Sequence, residues 1–288
     1  MTRLVFRGRV IEADRALVMA IVNRTPDSFY DKGSAFEDDA AYAAVDRAVA
    51  DGADVVDIGG VKAGPGDNVD SAAEIDRVVP FITGVRERYP ELVISVDTWR
   101  HEVARAACLA GADLINDTWA GADPELAAVA AEFEAGLVCS HTGGAVPRTR
   151  PFRVRYQDVV ADVIEETVTA AQRAVEVGVP AEGVLIDPTH DFGKNTWHSL
   201  ELVRATGRLA ATGWPVLMAM SNKDFVGETL GVELAERVDG TLAATALAAR
   251  DGAVMFRAHE VRRTRQVLEM VAAVDGRRLP AQTTRGLA

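Results

Sequence analysis

The chain is predicted to fold as an α/β protein, a single (β/α)8 barrel, on two observations. Apolar runs of strand length alternate with helix-periodic segments along nearly the whole sequence. Those runs also keep ending in polar or charged residues. ALVMAIV stops at Asn23, DVVDIGG carries Asp57, ELVISVDT ends with Asp97, and DLINDT ends with Asn116 and Asp117. Later, VLIDP delivers Asp187, PVLMAMSNK delivers Ser221 and Lys223, and AVMFRAHE delivers Arg257 and His259. Burying an unpaired polar group costs free energy, so a core strand has no reason to finish this way by itself. In a parallel barrel the strand ends share one mouth, and active sites are built there.

Each element can be justified in turn. The first sixteen residues alternate, as LVFRGRVIE does, and read as a short hairpin across the barrel bottom. The first barrel strand, near 17–22, is followed by the loop NRTPDSFYDKGSAF and the helix DDAAYAAVDRAVADG. The second strand (53–58) leads into VKAGPGDNVD and a helix near 71–89. The third (92–96) precedes RHEVARAACLAG, and the fourth (113–116) precedes DPELAAVAAEFEAG. After the fifth (137–140) comes the irregular HTGGAVPRTRPFRVRYQD and a long helix to about Val177. The sixth (184–187), seventh (215–220) and eighth (253–257) are each trailed by a helical pattern. Stretches such as DGAD and AGAD place glycine just past a helix end. The expected organisation is one domain over 1–280 and a polar tail over 281–288.

Charge and composition narrow the function. A net charge of -12 argues against nonspecific nucleic-acid binding. Neither a signal peptide nor a membrane span is expected, because no sufficiently long apolar run occurs. Cys108 and Cys139 give no disulfide framework, which points to a reducing, cytoplasmic setting.

Singly, many of these residues have an ordinary explanation. Asp70 and Asp123 read as cap or turn residues. Cys139 reads as a small buried hydrophobe, and Trp99, Trp119, Trp197 and Trp214 as core or rim packing. Arg148, Arg150, Arg153 and Arg155 make a solvated loop or, on a sharper reading, an anion-binding lid. Lys194 and His198 read as capping the sixth helix. His141, His190 and His198 with Asp191 raise a metal-dependent barrel hydrolase, but such enzymes want His-x-His after the first strand, where NRTPD stands. Asp57, Asp97 and Asp187 are different because they can point together. Carboxylates and amides read a flat ring carrying N–H donors, while lysine and arginine hold phosphate oxygens.

Taken together, NRTPDSF with Asp31 and Gly33, DVVDIGG, ISVDT, GADLIND, SHTGG, LIDP with FGK, MSNKDFVG and RAHEV resemble the dihydropteroate synthase family. The resemblance runs from Arg3 to about Val274. It implies a TIM barrel that joins 6-hydroxymethyl-7,8-dihydropterin diphosphate to p-aminobenzoate, releases diphosphate and uses Mg²⁺. It further implies that Asp97, Asn116, Asp187 and Lys223 hold the pterin, with Asp57 beside them. Asn23 matches the magnesium and diphosphate asparagine, and Arg257 and His259 match an anion-binding pair. Lys223 and Arg257 are the positions matched to catalysis, and a homodimer through the late helices is implied.

The second-substrate side departs from the family pattern. Members usually continue the second-strand glycines with Glu-Ser-Thr-Arg-Pro-Gly, where this chain has Val61, Lys62, Ala63, Gly64, Pro65 and Gly66. Asn222 replaces an arginine, Arg24 replaces a small apolar residue, and Gly-Ile-Gly becomes Thr189, His190 and Asp191. The fifth-strand motif Met-His-Met-Gln-Gly reads Ser140, His141, Thr142, Gly143 and Gly144. The reaction displaces diphosphate, so charge builds on the leaving group as the bond stretches. Removing one preorganised donor there costs on the order of 10²–10³ in rate. The expectation is a pterin pocket with absent or weak synthase activity, as in the divergent second synthase copies of actinobacteria that the pattern resembles. An active synthase with Lys62 or Arg24 compensating is the alternative, with a barrel hydrolase behind it.

Overall fold

The computed structural model describes residues 2–25, 38–62, 64–66, 68–149 and 155–285. The expectations placed on Asp31, Gly33, Ala63, Arg150 and Arg153 lie outside the described residues. An antiparallel hairpin, β1 (Thr2–Phe6) and β2 (Arg9–Ala13), opens the chain, as the alternation predicts. Its two-residue turn puts Arg7 and Gly8 at φ 49° and 74°, the left-handed pair that matches strand twist in tight hairpins.

Eight parallel strands follow. They are β3 (Leu17–Asn23), β4 (Val55–Gly59), β5 (Val93–Asp97), β6 (Leu114–Asp117), β7 (Gly136–Ser140), β8 (Val184–Asp187), β9 (Leu217–Met218) and β10 (Met255–Ala258). Between and after them run α1 (Asp38–Ala50), α2 (Ser71–Arg88), α3 (His101–Ala110), α4 (Leu126–Glu132) and α5 (Val159–Val177). The series continues with α6 (Thr196–Arg204), α7 (Thr206–Ala210), α8 (Asp224–Leu230), α9 (Val238–Arg250) and α10 (Val261–Val274). The order β8-β7-β6-β5-β4-β3-β10-β9 is continuous, and one bridge, Ile186 to Val216, brings its ends together. β9 is shorter than the predicted 215–220 because Pro215 has no N–H to give to a ladder. Beyond α10 the described chain contains no helix or strand.

Strand periodicity builds two cores. Val18, Ala20, Val56, Ile58, Ile94 and Val96 face outward and pack under the helices. Leu17, Met19, Val55, Val93, Leu114, Val138, Leu185, Leu217 and Met255 fill the barrel, joined from below by Leu4 and Phe6 of the hairpin. Phe6 is wholly buried, and a Cβ on Gly136 would collide with its ring. The hairpin is also tied down electrostatically. Arg7 Nη1 donates to the carbonyls of Cys108 (2.8 Å) and Ala112 (2.9 Å). Arg9 Nε donates to buried Asp113 at 3.0 Å, and Asp113 also accepts from Arg86.

Because Phe6 plugs the end remote from the mouth, its removal should affect stability alone. Phe6→Ala is expected to lower unfolding free energy by about 3–5 kcal/mol, the usual range for a fully buried phenylalanine. Urea denaturation checks this, and a loss below about 1 kcal/mol would show that the hairpin does not seal the core.

Candidate functional site

Partway up the barrel the inward-facing residues change from apolar to polar. Val55 is followed by Asp57, Leu114 by Asn116, Leu185 by Asp187, and Met255 by Arg257 and His259, each two residues on. Val93 is followed by Ser95 and then Asp97. At the centre Arg257 bridges two carboxylates. Its Nε donates to Asp57 Oδ2 at 2.5 Å and its Nη2 to Asp97 Oδ2 at 2.8 Å. Asp57 is further satisfied by Ser95 Oγ at 2.6 Å and Asn116 Nδ2 at 3.0 Å. Thr118 Oγ1 donates to Asp97 Oδ1 at 3.2 Å.

The charges in this layer are strongly perturbed. Burial would lower the Arg257 pKa, yet Asp57 and Asp97 outweigh it and the group is held above its ordinary value. Asp97 is pushed up to about 7, by burial first and by the Asp57 charge, with Arg257 opposing. Asp187 is also raised by burial against the pull of Lys223, while burial lowers Lys223 against Asp187 and Asp191. Burial, helped by Arg257, brings His259 down to about 3. Its imidazole is therefore neutral at physiological pH, so towards an anion it is a hydrogen-bonding group and not a charge. His259 Nδ1 lies 2.9 Å from Ser221 Oγ.

Above this layer opens a cavity of about 300 Å³, the size of a small-ligand site. Of the sequence-predicted residues, Asn23, Asp97, Lys223, Arg257 and His259 line it. Asp57, Asn116 and Asp187 are fully buried and do not line it. Asn116 Oδ1 has no hydrogen-bond partner among the described residues, an unsatisfied acceptor in the polar layer. Asp187 Oδ1 accepts from the Thr189 N–H at 2.7 Å. Lys223 Nζ donates to the His190 carbonyl at 2.6 Å and lies 4.9 Å from the Phe192 ring centroid. Ser95, Thr118 and Phe192 were not among the predicted site residues. Ser95 was findable, since it shares a strand face with Asp97, whereas Phe192 reaches the wall through loop geometry.

The departures from the family pattern fall in several environments. Lys62, Gly64 and Pro65 line the cavity, but Arg24 does not. Arg24 is buried, with its guanidinium stacked 4.8 Å from the Phe81 ring of α2. Asn222 is buried behind the wall, its Oδ1 3.4 Å from Thr241 Oγ1. Lys194, read as a helix cap, instead gathers three carbonyls, those of His141 (2.8 Å), Phe192 (2.9 Å) and Thr189 (3.2 Å). It thereby shapes the loop after β8.

The histidines do not converge on a metal. His141 Nε2 meets Asp162 (2.8 Å) and Glu166 (3.3 Å), and His190 stacks on Phe225. His198 forms a capping box with Asn195. Two clusters of metal-capable groups occur among the described residues: His101 with Glu102 and Asp123, and His141 with Asp162 and Glu166. Neither contributes a residue to the cavity wall. Asp70 caps α2, and Asp123 accepts the His101 and Glu125 N–H groups, as read from sequence. Trp197 departs from the packing expectation, being 77% exposed.

This barrel and its site can be set beside known proteins. Residues 19–259 match the family model described as "Pterin binding enzyme". The chain is 66% identical over 285 residues to "Inactive dihydropteroate synthase 2" of Mycobacterium leprae, covering 98% of both. It superposes on Xanthomonas albilineans dihydropteroate synthase with 4-aminobenzoic acid at TM-score 0.85 and 38% identity, covering 95% of this chain and 98% of that one. The same synthase in complex with 7,8-dihydropteroate gives TM-score 0.83 and 37% identity, covering 95% and 99%. Sequence, fold and polar layer agree: the chain belongs to the pterin-binding enzyme family, as a homologue of dihydropteroate synthase.

Proposed function

We propose that the chain binds a pterin, most tightly as its diphosphate, and makes dihydropteroate slowly or not at all. One observation carries this reading. The polar layer of Asp57, Asp97, Asn116, Asp187, Lys223 and Arg257 is intact and hydrogen-bonded, while no guanidinium of the second or seventh loop lines the mouth. The relative from Mycobacterium leprae is named inactive, and a homologous synthase has been solved with 7,8-dihydropteroate. Both support the reading.

In this reading the ring seats down onto the polar layer: Asp97 on the wall accepts its N–H groups first, Asn116 and Asp187 from the buried layer accept as it settles, and Lys223 stands at its edge. Arg257, now paired with Asp57 and Asp97, and His259 face the diphosphate. Lys62 replaces the lost arginine as a point charge only, because an ammonium cannot make a bidentate pair. Arg24 is stacked on Phe81 instead of standing on the wall, which makes it the weaker of the two compensating candidates.

The residues present fit Mg²⁺. A Cβ on Gly59 would meet Asp97 Oδ2 at 3.6 Å and Asn23 Oδ1 at 3.8 Å, so two hard oxygen donors flank a bare backbone notch. Mg²⁺ favours such oxygens and usually takes few protein ligands beside substrate phosphates. Asn23 would hold the ion, which when bound neutralises charge on the diphosphate. We also place the chain in the cytoplasm as a homodimer. Two buried free cysteines suit a reducing compartment, and exposed Leu247 on α9 and Met270 and Val274 on α10 suit a helix-mediated contact. No described helix is long and apolar enough to cross a membrane.

Three measurements test this. Calorimetry with dihydropterin diphosphate and Mg²⁺ should show saturable binding that Asp97→Ala abolishes, and silence at millimolar ligand would overturn the reading. The same titration should depend on pH. Asp97 accepts a ring N–H more strongly when ionised, so affinity should fall as pH drops through about 7. Asp97→Asn should flatten that profile. Dihydropteroate formation is expected to be at least about 10²-fold below that of an active family member. Ala63→Thr with Gly64→Arg should raise turnover more than pterin affinity, since leaving-group contacts act mainly on the transition state. Among the described residues a Cβ at Gly64 would meet only Lys62 Cε, at 3.8 Å, so the substitution starts without a clash at Cβ. Wild-type turnover at ordinary family rates would mean that Lys62 suffices.

A further inference from the structure

Two carboxylates on the cavity wall belong to no part of the pterin set: Asp191, in the loop after β8, and Asp224, the first residue of α8. They flank Phe192 and Lys223 in sequence and stand with them on one wall. Asp191 is held from two sides. Ser199 Oγ donates to its Oδ1 at 3.1 Å, and the Phe225 N–H donates to its Oδ2 at 3.3 Å. Asp224 Oδ1 accepts from Arg237 Nη1 at 2.8 Å. A carboxylate offers about four acceptor sites, so both retain capacity towards the cavity.

The backbone around Asp191 is unusual. Thr189, Asp191 and Gly193 lie at φ 51°, 70° and 61°, where a Cβ is disfavoured and glycine is the default. This chain keeps the glycine conformation and bears the strain of side chains in it. The Thr189 hydroxyl finds local work, accepting the His141 N–H at 3.1 Å. The Asp191 carboxylate instead reaches the cavity.

The nearby cations offset part of this charge but leave acceptor oxygens of both carboxylates unfilled. Lys223 already donates to the His190 carbonyl and faces Asp187 and Asp191. Lys62 stands on the second loop, the side that the pterin reading assigns to diphosphate. Arg237 holds Asp224 and does not line the cavity.

Resting on the pterin reading for the deep half, we propose that Asp191 and Asp224 tune the outer half for a second ligand presenting an amine or other N–H donor, and against an aryl carboxylate such as p-aminobenzoate. Phe192 and Pro65 offer apolar walls to a flat ring. An ammonium or amine on that ring meets acceptors already in place, whereas a carboxylate meets like charge in a partly desolvated wall. The chain's departure from synthase chemistry then includes a reversed preference for the second ligand as well as lost leaving-group contacts.

Three probes with one ring test this: 4-aminobenzylamine, p-toluidine and p-aminobenzoate differ in the charge at the para position. Their affinities are measured by calorimetry on the full chain, with and without saturating 6-hydroxymethylpterin. The benzylamine is expected to bind at least about tenfold more tightly than the benzoate, with the toluidine between them. Asp191→Asn with Asp224→Asn should collapse that ratio, chiefly by strengthening benzoate binding. Asparagine tolerates the left-handed backbone at 191, and Asp224→Asn alone, at an exposed position, serves if the pair fails to fold. Equal affinities in the wild type, an unchanged ratio in the folded variant, or no binding of any probe would overturn the proposal. Silence towards the pterin alone would overturn only the pterin reading, because the probe ratio on the free protein still decides this one.

Discussion

The site is organised around one partly buried guanidinium. Arg257 rises from β10 into the barrel and joins Asp57 on β4 to Asp97 on β5, the strands reached across β3. Two carboxylates this deep would be untenable alone, and removing one partner of a buried ion pair typically costs about 3–5 kcal/mol. Ser95 and Asn116 complete the satisfaction of Asp57, so four strands contribute to a single hydrogen-bonded unit. The same pairing makes the unit exchangeable. A ligand carrying several N–H donors and an anionic group can take over both roles, releasing Arg257 to the anion while the carboxylates keep partners.

Much of this was legible in the sequence because strand chemistry is simple. Asp57, Asp97, Asn116, Asp187 and Arg257 are inward-facing by parity, and a parallel barrel brings inward-facing strand ends together whatever the loops do. Less legible were features decided by loops and by depth. Arg24 lies one residue beyond Asn23, yet turns onto Phe81 when charge alone suggested the mouth. Asn222 adjoins Lys223, but its side chain is buried against Thr241. The left-handed backbone at Thr189 could not be read from a β-branched residue, which ordinarily avoids it, and Asp191 tolerates that region without announcing it. Nor did spacing reveal that Lys194 would be sequestered by three carbonyls.

The uneven pattern of retention has a physical logic. Groups in the polar layer hold one another, so losing any one strands another in a low-dielectric interior. Residues of the connecting loops, including buried ones such as Arg24, Thr189 and Asn222, find partners outside that layer and can change without stranding a member of it. Loop chemistry can therefore be altered while the deep polar layer stays hydrogen-bonded. A close relative named inactive and an intact polar layer are compatible on these grounds.

The closure of the barrel has its own consequence. Between β8 and β9 a single bridge joins Ile186 to Val216, against four or five paired residues at most other strand borders. Asp187 and Lys223 stand on opposite sides of that border and attract one another. The seam is held by one bridge and by the packing of Leu185, Ile186, Val216 and Leu217, and it is the place where the cylinder can breathe with the fewest backbone bonds broken. A molecule seated against Phe192 of the loop after β8 and Lys223 of the loop after β9 would act as a stitch across the seam, so occupancy of the pocket would be felt as slower amide hydrogen exchange in β8 and β9, strands whose own backbone ladder scarcely connects them.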